Sequence, residues 1–286
     1  MKVNKKRLYK DVEKLTTIDP PRNYKNLKSL NEIADYIQEE FSRLNCKVEN
    51  QKFKVFGKEY RNVIGSFGTD LNERVIVGAH YDVCGNQPGA DDNASAVAGL
   101  LETARILSHK NPKLKNRIDF VAYSLEEPPF FGTFKMGSAI HAKYIFKNKI
   151  PVKGVICYEM IGYFSDEPNS QNFPYPELSK IYPNTGNFII VVGLHGQESF
   201  TEKIRIDMRK NSNIDVQSIN FPNNKGLAGL SDHRNYWKYG YNAVMINDTS
   251  FLRNPNYHEK TDTIDTLDFD KMVEVVKGCY AAIINL

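Results

Sequence analysis

The chain has 286 residues, of which 41% are hydrophobic and 25% are charged, so its composition is that of a globular protein with a sizeable core. A formal net charge of +4 and the lack of a basic stripe among aromatic residues argue against a nucleic-acid partner. The sequence contains no apolar run near the roughly 20 residues that cross a bilayer, so we predict no membrane partner.

The basic segment Met1–Lys10 is not followed by an apolar stretch, so we predict no signal peptide. We expect either a cytoplasmic protein or a mature exported form whose leader has been removed. The cysteines form no CxxC pair and are interpreted as buried or incidental thiols: Cys46, Cys84, Cys157 and Cys279. Cys84 follows His80 closely and could instead lie near the mouth of a site. The sequence leaves the oligomeric state open.

Helical spacing of apolar residues over Asn26–Leu44 predicts an amphipathic helix, and we expect N-terminal helices within residues 1–45. Predicted strands and helices then follow in chain order: strands Lys47–Val55, Tyr60–Phe67 and Arg74–Ala79, helix Asn93–Ser108, strand Arg117–Ser124, helix Gly137–Phe146, strands Gly154–Tyr158 and Asn187–Val192, helices Ser199–Lys210 and Asp232–Tyr239, strand Ala243–Asn247 and helix Asp268–Ile284. This alternation predicts an α/β fold with a mainly parallel sheet covered on both faces. Because the sequence has no linker and no repeat, we expect residues 1–286 to form one domain.

Two long segments, 164–187 and 211–230, are rich in Pro and Asn and are predicted to be irregular loops that border a substrate site. Their aromatic residues could line an apolar pocket or pack locally: Phe164, Phe173, Tyr175, Tyr182 and Phe221.

Potential metal ligands occur where predicted strands end. His80, Glu127 and Glu159 each follow a strand, and His258 lies in the loop after Ala243–Asn247. Because ligands of open α/β sheets bind beyond the carboxyl ends of the strands, we expect these side chains to meet.

Asp92 completes the set from a turn that starts a helix, where it could also act as a simple helix cap. Two imidazoles and three carboxylates suit two divalent cations about 3.5–4 Å apart, which generate a nucleophile from water and polarise a carbonyl. Asp91 is interpreted as the solvated helix cap.

Two further acidic residues fit supporting roles. Asp82 could accept the second ring N–H of His80 and so fix the tautomer of that ligand. Glu126 directly precedes a ligand and could move a proton from water to a departing amine. Asp232 and His233 are interpreted as supports of the following helix rather than as ligands.

Several strings of the sequence together resemble one family. They are His80-Tyr81-Asp82, Gly89-Ala90-Asp91-Asp92-Asn93-Ala94-Ser95, Glu126-Glu127, Glu159-Met160-Ile161-Gly162-Tyr163, Ser231-Asp232-His233 and Tyr257-His258. In this order they resemble the co-catalytic zinc aminopeptidases, which include bacterial leucyl aminopeptidase-like metallopeptidases and are related to glutaminyl cyclases and the peptidase-like domain of the transferrin receptor. The match spans roughly Arg74 to the C-terminus.

The resemblance implies two zinc ions, with Mn²⁺ or Co²⁺ as alternatives that the same ligand types accept. One ion would be held by His80, Asp92 and Glu159. The other would be held by Asp92, Glu127 and His258, so that Asp92 forms the bridge.

The resemblance also implies that Glu126 is the general acid/base and that Tyr257 donates a hydrogen bond to the developing oxyanion. The implied fold is a three-layer αβα sandwich around a twisted, mainly parallel mixed sheet of about eight strands, with a cis peptide after Asp92. The sequence departs from the family at Ala96, where Gly is usual, and at Glu159, where many members have Asp.

The predicted function is that of an aminopeptidase that acts on peptides with a free N-terminus. A glutaminyl cyclase-like acyltransferase with one zinc is the alternative enzyme, although Tyr257 stands where those cyclases commonly have Trp. A non-catalytic binding domain is less favoured, because no ligand is missing. A carboxypeptidase or dipeptidase mode, and the side-chain preference, stay open.

Overall fold

The structure is a computed structural model that describes residues 2–286. Within these residues, eight strands form one mixed sheet: β1 (Lys47–Val55), β2 (Lys58–Phe67), β3 (Arg74–His80), β4 (Arg117–Tyr123), β5 (Val152–Glu159), β6 (Phe188–Leu194), β7 (Asp215–Phe221) and β8 (Ala243–Asn247). The helices are α1 (Lys5–Thr16), α2 (Leu27–Ser42), α3 (Ala96–Lys110), α4 (Gly137–Lys147), α5 (Glu198–Asn211), α6 (Arg234–Trp237) and α7 (Phe269–Ile284).

The strand order is β1-β2-β4-β3-β5-β8-β6-β7. The central strands β4, β3, β5 and β8 run parallel, whereas β1 and β2 form an antiparallel pair at one edge. Toward the other edge, β6 is antiparallel to β8 and parallel to β7. The carboxyl ends of the four central strands therefore meet at one edge of the sheet, as the α/β prediction requires.

Side chains of the central strands alternate between two apolar layers. Val75 and Val77 of β3 pack in a core that includes residues of α1, α2, α3, α5 and α7, whereas Ile76 packs with α4 and α6. Because both faces of the sheet are covered, every residue of β4 is buried. The predicted three-layer αβα sandwich around a mainly parallel mixed sheet of about eight strands is confirmed.

One predicted loop contains regular structure. The segment 211–230 was predicted to be irregular, but it includes β7, which pairs with β6 at the edge of the sheet. Polar residues alternate along this half-exposed edge strand, so it lacks the apolar run by which buried strands are recognised. The segment 164–187 is irregular, as predicted, and contains a short 3₁₀ turn at Pro176–Lys180.

Within residues 2–286, no helix is both long enough and apolar enough to cross a membrane.

A buried ion cluster ties the N-terminal helices to the sandwich. Arg105 of α3 makes a bidentate pair with Asp11 of α1, at 2.5 and 2.9 Å, and donates to Glu40 of α2 at 2.6 Å. Its side chain is only 6% exposed. Removal of one partner from a buried pair leaves the other charge uncompensated, which is why such changes are costly.

We predict that Arg105→Met lowers the free energy of unfolding by about 3–5 kcal/mol, because it leaves the Asp11 carboxylate buried without its counter-ion. Urea unfolding of the two proteins measures this difference. The matched control is Arg209→Met, which removes an exposed arginine of α5 and should change the free energy of unfolding by less than about 0.5 kcal/mol. An equal, small loss for both variants would contradict the prediction.

Candidate metal centre

The carboxyl edge of the sheet brings the predicted acidic and imidazole residues together. His80 is the last residue of β3, Glu126 and Glu127 follow β4 closely, and Glu159 is the last residue of β5. His258 reaches the same place from the loop after β8, and its side chain is the most exposed of the set at 28%. The others are buried.

The carboxylate of Asp92 faces both imidazoles, with one oxygen toward each. Its Oδ1 lies 3.5 Å from His80 Nε2, and its Oδ2 lies 3.0 Å from His258 Nε2. On its far side, His80 Nε2 is 3.3 Å from Glu159 Oε2. His258 Nε2 is likewise 3.4 Å from Glu127 Oε2. Asp92 therefore belongs to two groups of side chains, one with His80 and Glu159 and one with His258 and Glu127.

The turn that carries Asp92 is held by a residue that sequence analysis missed. Asp262 accepts the backbone N–H groups of Asp91 and Asp92 at 2.9 and 3.1 Å, one on each carboxylate oxygen. The Asp92–Asn93 peptide is cis, as the resemblance implied. Because Asp262 is 170 positions from Asp92, no local spacing could have indicated this contact.

The interpretation of Asp91 as a solvated helix cap is wrong. Asp91 is fully buried and accepts the backbone N–H of Gly162 at 2.9 Å and Asn254 Nδ2 at 2.8 Å. Its side chain thus joins the loop after β5 and the loop before His258 to the turn that carries Asp92. Sequence analysis judged Asp91 by its position before a helix, and burial of the whole turn overrides that preference.

Asp82 orients two neighbours of the site. Its Oδ1 and Oδ2 accept the backbone N–H groups of Glu126 and Glu127, each at 3.1 Å. Its Oδ1 also lies 3.5 Å from His80 Nδ1, while its backbone carbonyl oxygen is nearer to that nitrogen, at 3.2 Å. Asp82 therefore contacts His80, and it also fixes the turn that presents the two glutamates.

Glu159 is held by hydroxyl and amide groups. Ser231 Oγ donates to Glu159 Oε2 at 2.5 Å, and Asn247 Nδ2 donates to the backbone carbonyl of Glu159 at 2.7 Å. His233 bonds through Nε2 to the carbonyl of Ala228 at 2.7 Å and stacks edge-on against Trp237. Ser231 thus supports a site residue, whereas His233 supports the helix region.

The buried polar atoms of this cluster are suited to hold a cation. Among the atoms of residues 2–286, no hydrogen-bond partner reaches His80 Nε2, Glu126 Oε1 or Glu127 Oε1, although all three are buried. A buried polar atom without a partner is costly, so such atoms occur where a ligand or ion satisfies them. Ligand atoms of His80, Asp92 and Glu127 lie within 4.8 Å of one another. Imidazole and carboxylate donors suit Zn²⁺, Mn²⁺ and Co²⁺.

The electrostatics of these buried side chains favour bound protons. Burial raises the pKa of Glu127 to about 8, with a further contribution from the charge of Asp92. Burial also raises the pKa of Glu126 well above its ordinary value, although the charge of His80 opposes this shift. Burial lowers the pKa of His258, but its hydrogen bonds to Asp92 and Glu127 outweigh that effect and raise the pKa to about 10.

The ring of Tyr257 stacks on the imidazole of His258, with 3.8 Å between ring centroids and 18° between planes. Burial raises the pKa of its hydroxyl, and the carboxylates of Asp92 and Glu127 raise it further. The phenol therefore stays protonated at neutral pH and is a hydrogen-bond donor rather than an anion.

An apolar cavity of about 100 Å³ opens beside Glu159. Its walls come from the segment 164–187, β6, β7, β8 and the loops that follow β7 and β8: Gln171, Asn172, Phe173, Pro174, Leu178, Tyr182, Phe188, Ile190, Val192, Ile219, Phe221, Leu227, Leu230, Met245, Asn247, Thr249, Ser250, Phe251 and Leu252. Of the aromatic residues proposed for such a pocket, Phe173, Tyr182 and Phe221 line it. Tyr175 is instead 60% exposed, and Phe164 lies against Arg253.

A family model described as Peptidase family M28 matches residues 62–283. The uncharacterized protein YfbL of Escherichia coli (strain K12) is 41% identical over 97% of this chain and 87% of its own length. Leucine aminopeptidase 1 of Ajellomyces capsulatus (strain NAm1 / WU24) is 27% identical over 76% of this chain and 53% of its own length, so this chain aligns with about half of that relative.

Solved structures share the fold. The LapA aminopeptidase of Legionella pneumophila matches 99% of this chain and 71% of its own, with a TM-score of 0.79 and 20% identity. The glutaminyl cyclase of Fimbriiglobus ruber matches 100% of this chain and 96% of its own, with a TM-score of 0.72 and 20% identity. The resemblance stated from the sequence strings is thus confirmed, and the chain belongs to Peptidase family M28.

Proposed function

We propose that this peptidase-family protein is an aminopeptidase that removes N-terminal residues from peptides at a dinuclear zinc centre. The observation that carries the proposal is the position of Asp92, whose two oxygens face two imidazoles on opposite sides. A carboxylate placed in this way is suited to be shared by two cations, each of which would then have one imidazole and one further carboxylate.

His80, Asp92 and Glu159 would hold one ion, and Asp92, Glu127 and His258 the other. When bound, such a pair supplies an activated water and a Lewis acid for the scissile carbonyl. The chain's own contribution is to fix these ligands through the backbone contacts of Asp82 and Asp262.

Glu126 is suited to move the proton. Its carboxylate is buried, its Oε2 lies 3.9 Å from His80 Nε2, and burial raises its pKa well above the ordinary value of a glutamate. A general acid/base works best when its pKa lies near the operating pH. Glu126 would accept a proton from the attacking water and donate it to the departing amine, while the Tyr257 hydroxyl would donate to the carbonyl oxygen.

The apolar cavity indicates which N-terminal side chains a substrate would have. It adjoins Glu159, and its walls are mostly aliphatic and aromatic, so it would accept the apolar side chain of the N-terminal residue. Burial of such a side chain is favourable by about 1.5–3 kcal/mol. We therefore propose peptides with N-terminal Leu, Met or Phe as substrates.

Glutaminyl cyclisation is the second candidate, supported by the fold shared with the cyclase of Fimbriiglobus ruber. It would use one ion at this site. Elemental analysis of the purified protein, together with assays on leucyl p-nitroanilide and on a peptide that begins with Gln, separates the two activities. Two ions and p-nitroaniline release support the peptidase, whereas one ion and loss of the free N-terminus of the Gln peptide support the cyclase.

We predict that Glu126→Gln keeps the metal content of the natural protein but lowers kcat on leucyl p-nitroanilide by about 10²–10⁴-fold, because that is what a positioned acid/base contributes. The matched control is Glu13→Gln, which changes an exposed residue of α1 and should leave kcat unchanged. A variant that retains full kcat with normal metal content would refute the proton role.

The stability of the metal-free protein should fall as pH rises. The folded-state pKa of His258 is raised from 6.5 to about 10, so its stabilising contribution is complete below pH 6.5 and lost as pH approaches 10. The pKa of Glu127 is raised from 4.5 to about 8, so the unfolded chain alone is ionised between these values, and stability again decreases with pH. The decrease should be steepest between pH 6.5 and about 8, where both groups contribute.

Urea unfolding of the chelator-treated protein across this range measures the slope, and zinc binding should release protons into the buffer. His258→Gln should flatten the slope, whereas His195→Gln, which changes an exposed histidine, should not. A slope of equal size in both variants would contradict the assignment.

We predict that Ile219→Asp lowers kcat/KM for leucyl p-nitroanilide by about 10–200-fold, since loss of one apolar contact in a specificity pocket has effects of this size. The ratio of leucyl to alanyl activity should fall with it, because the smaller side chain depends less on the pocket. Ile181→Asp is the control, because Ile181 is 70% exposed and lies outside the cavity. An unchanged leucyl-to-alanyl ratio for Ile219→Asp would show that the substrate side chain binds elsewhere.

A further inference from the structure

A thiol lies beside the proposed second ion. Ligand atoms of Cys84, Glu127 and His258 all lie within 4.8 Å of one another. Glu127 and His258 are the residues that, with Asp92, would hold that ion. We propose, on the basis of the function proposed above, that Cys84 is a further protein ligand of this ion and makes it a mixed nitrogen, oxygen and sulfur site.

A second observation points to a ligand at the same place. Glu127 is 4% exposed, and its Oε1 is one of the buried atoms that no partner within residues 2–286 satisfies. Its Oε2 already faces His258. A cation between Cys84, Glu127 and His258 would satisfy the free oxygen and would occupy the space that the thiol borders.

The loop that carries Cys84 is anchored on both sides of the thiol. The backbone N–H of Val83 donates to the carbonyl of Arg22 at 3.3 Å, and Asn23 Nδ2 donates to the carbonyl of Gly85 at 2.5 Å. The position of Cys84 is therefore set by the residues that flank it in sequence.

Arg22 is 1% exposed and contacts both ends of the loop that carries Cys84. Its Nε donates to the carbonyl of Tyr81 at 2.9 Å, and its Nη2 donates to the carbonyl of Gly89 at 2.7 Å. A buried guanidinium with several backbone partners holds a loop in one conformation, since each lost partner would leave a buried donor unsatisfied. The loop that carries the Cys84 thiol is therefore held in one position beside the site.

The remaining thiols have other surroundings. Cys157 and Cys279 are buried in the apolar layers of the sandwich, and the thiol of Cys46 contacts the carbonyl of Phe41 at 3.3 Å. In the part of the chain that the structure describes, Cys84 is the cysteine that shares a group of potential ligands with carboxylate and imidazole residues. Cys46, which is also half-buried, therefore provides a matched control.

Ligation by Cys84 would release the thiol proton to solvent as the sulfur binds the cation. A thiolate is a soft ligand that favours Zn²⁺ over Mn²⁺ or Mg²⁺, whereas carboxylates and imidazoles discriminate less. The two cation positions would then differ in selectivity: the position at His80 and Glu159 accepts harder metals, and the position at Cys84 prefers zinc.

Cobalt substitution tests this proposal directly, because Co²⁺ bound to a thiolate has a near-ultraviolet charge-transfer band that oxygen and nitrogen ligands do not produce. The full chain is stripped with a chelator and titrated with Co²⁺ while its absorption spectrum is recorded. We expect the band in the natural protein and in Cys46→Ser, and its loss in Cys84→Ser at equal cobalt content. Zinc affinity of Cys84→Ser should also fall by at least about tenfold, since loss of even an outer contact to a ligand has that effect.

A second readout does not depend on the cobalt spectrum. Zn²⁺ should slow alkylation of Cys84 by iodoacetamide, measured by mass spectrometry, and should leave the alkylation of Cys46 unchanged. A cobalt-loaded, active peptidase without a thiolate band, or with a band that survives in Cys84→Ser, would overturn this proposal alone. Failure of the chain to bind zinc or cobalt at all would overturn both this proposal and the proposed function.

Discussion

More carboxylates converge at the carboxyl edge of this sheet than a buried site can keep ionised without added positive charge. Four buried carboxylates each lie within 3.9 Å of His80 or His258, and one of them lies near both: Asp92, Glu126, Glu127 and Glu159. A buried carboxylate is costly unless it is paired, and like charges in proximity make the cost larger. The raised pKa values of the glutamates express this conflict, which bound protons relieve in part and divalent cations would relieve more fully.

Two buried aspartates position the backbone of the site in the same way. Each aspartate accepts hydrogen bonds from two successive backbone N–H groups. The residues that donate these bonds include the side chains of the proposed site. Asp82 does this for Glu126 and Glu127, and Asp262 does it for Asp91 and Asp92. Because both carboxylates bind to the backbone, the site geometry depends on main-chain contacts rather than on flexible side chains, as a preorganised site requires.

The sequence made the strand-end residues predictable for a physical reason. His80 and Glu159 terminate buried strands, and an isolated buried charge at such a position needs a partner. Asp262 and Arg22 were missed because their partners are backbone groups far along the chain. Such contacts produce no periodic pattern in the sequence.

Asp91 was misjudged because local helix-capping preference predicts an exposed side chain, whereas tertiary packing buries this turn completely. The strand β7 was missed because an edge strand with polar residues does not have the pattern of a buried strand. The roles of Glu126 in proton transfer and of Tyr257 as a hydrogen-bond donor concern the reaction itself, so they remain predictions until activity is measured.

The proposed cation ligands and the cavity walls come from different parts of the sheet. The parallel strands β3, β4 and β5 deliver His80, the glutamate pair and Glu159, whereas the cavity is walled largely by β6, by the peripheral strand β7 and by irregular segments. Glu159 is the residue at which the two regions touch. In the proposed enzyme, substitutions in β6 and β7 would therefore change which peptides bind without changing the proposed cation ligands, so the substrate range of such a scaffold should diversify through its peripheral strands.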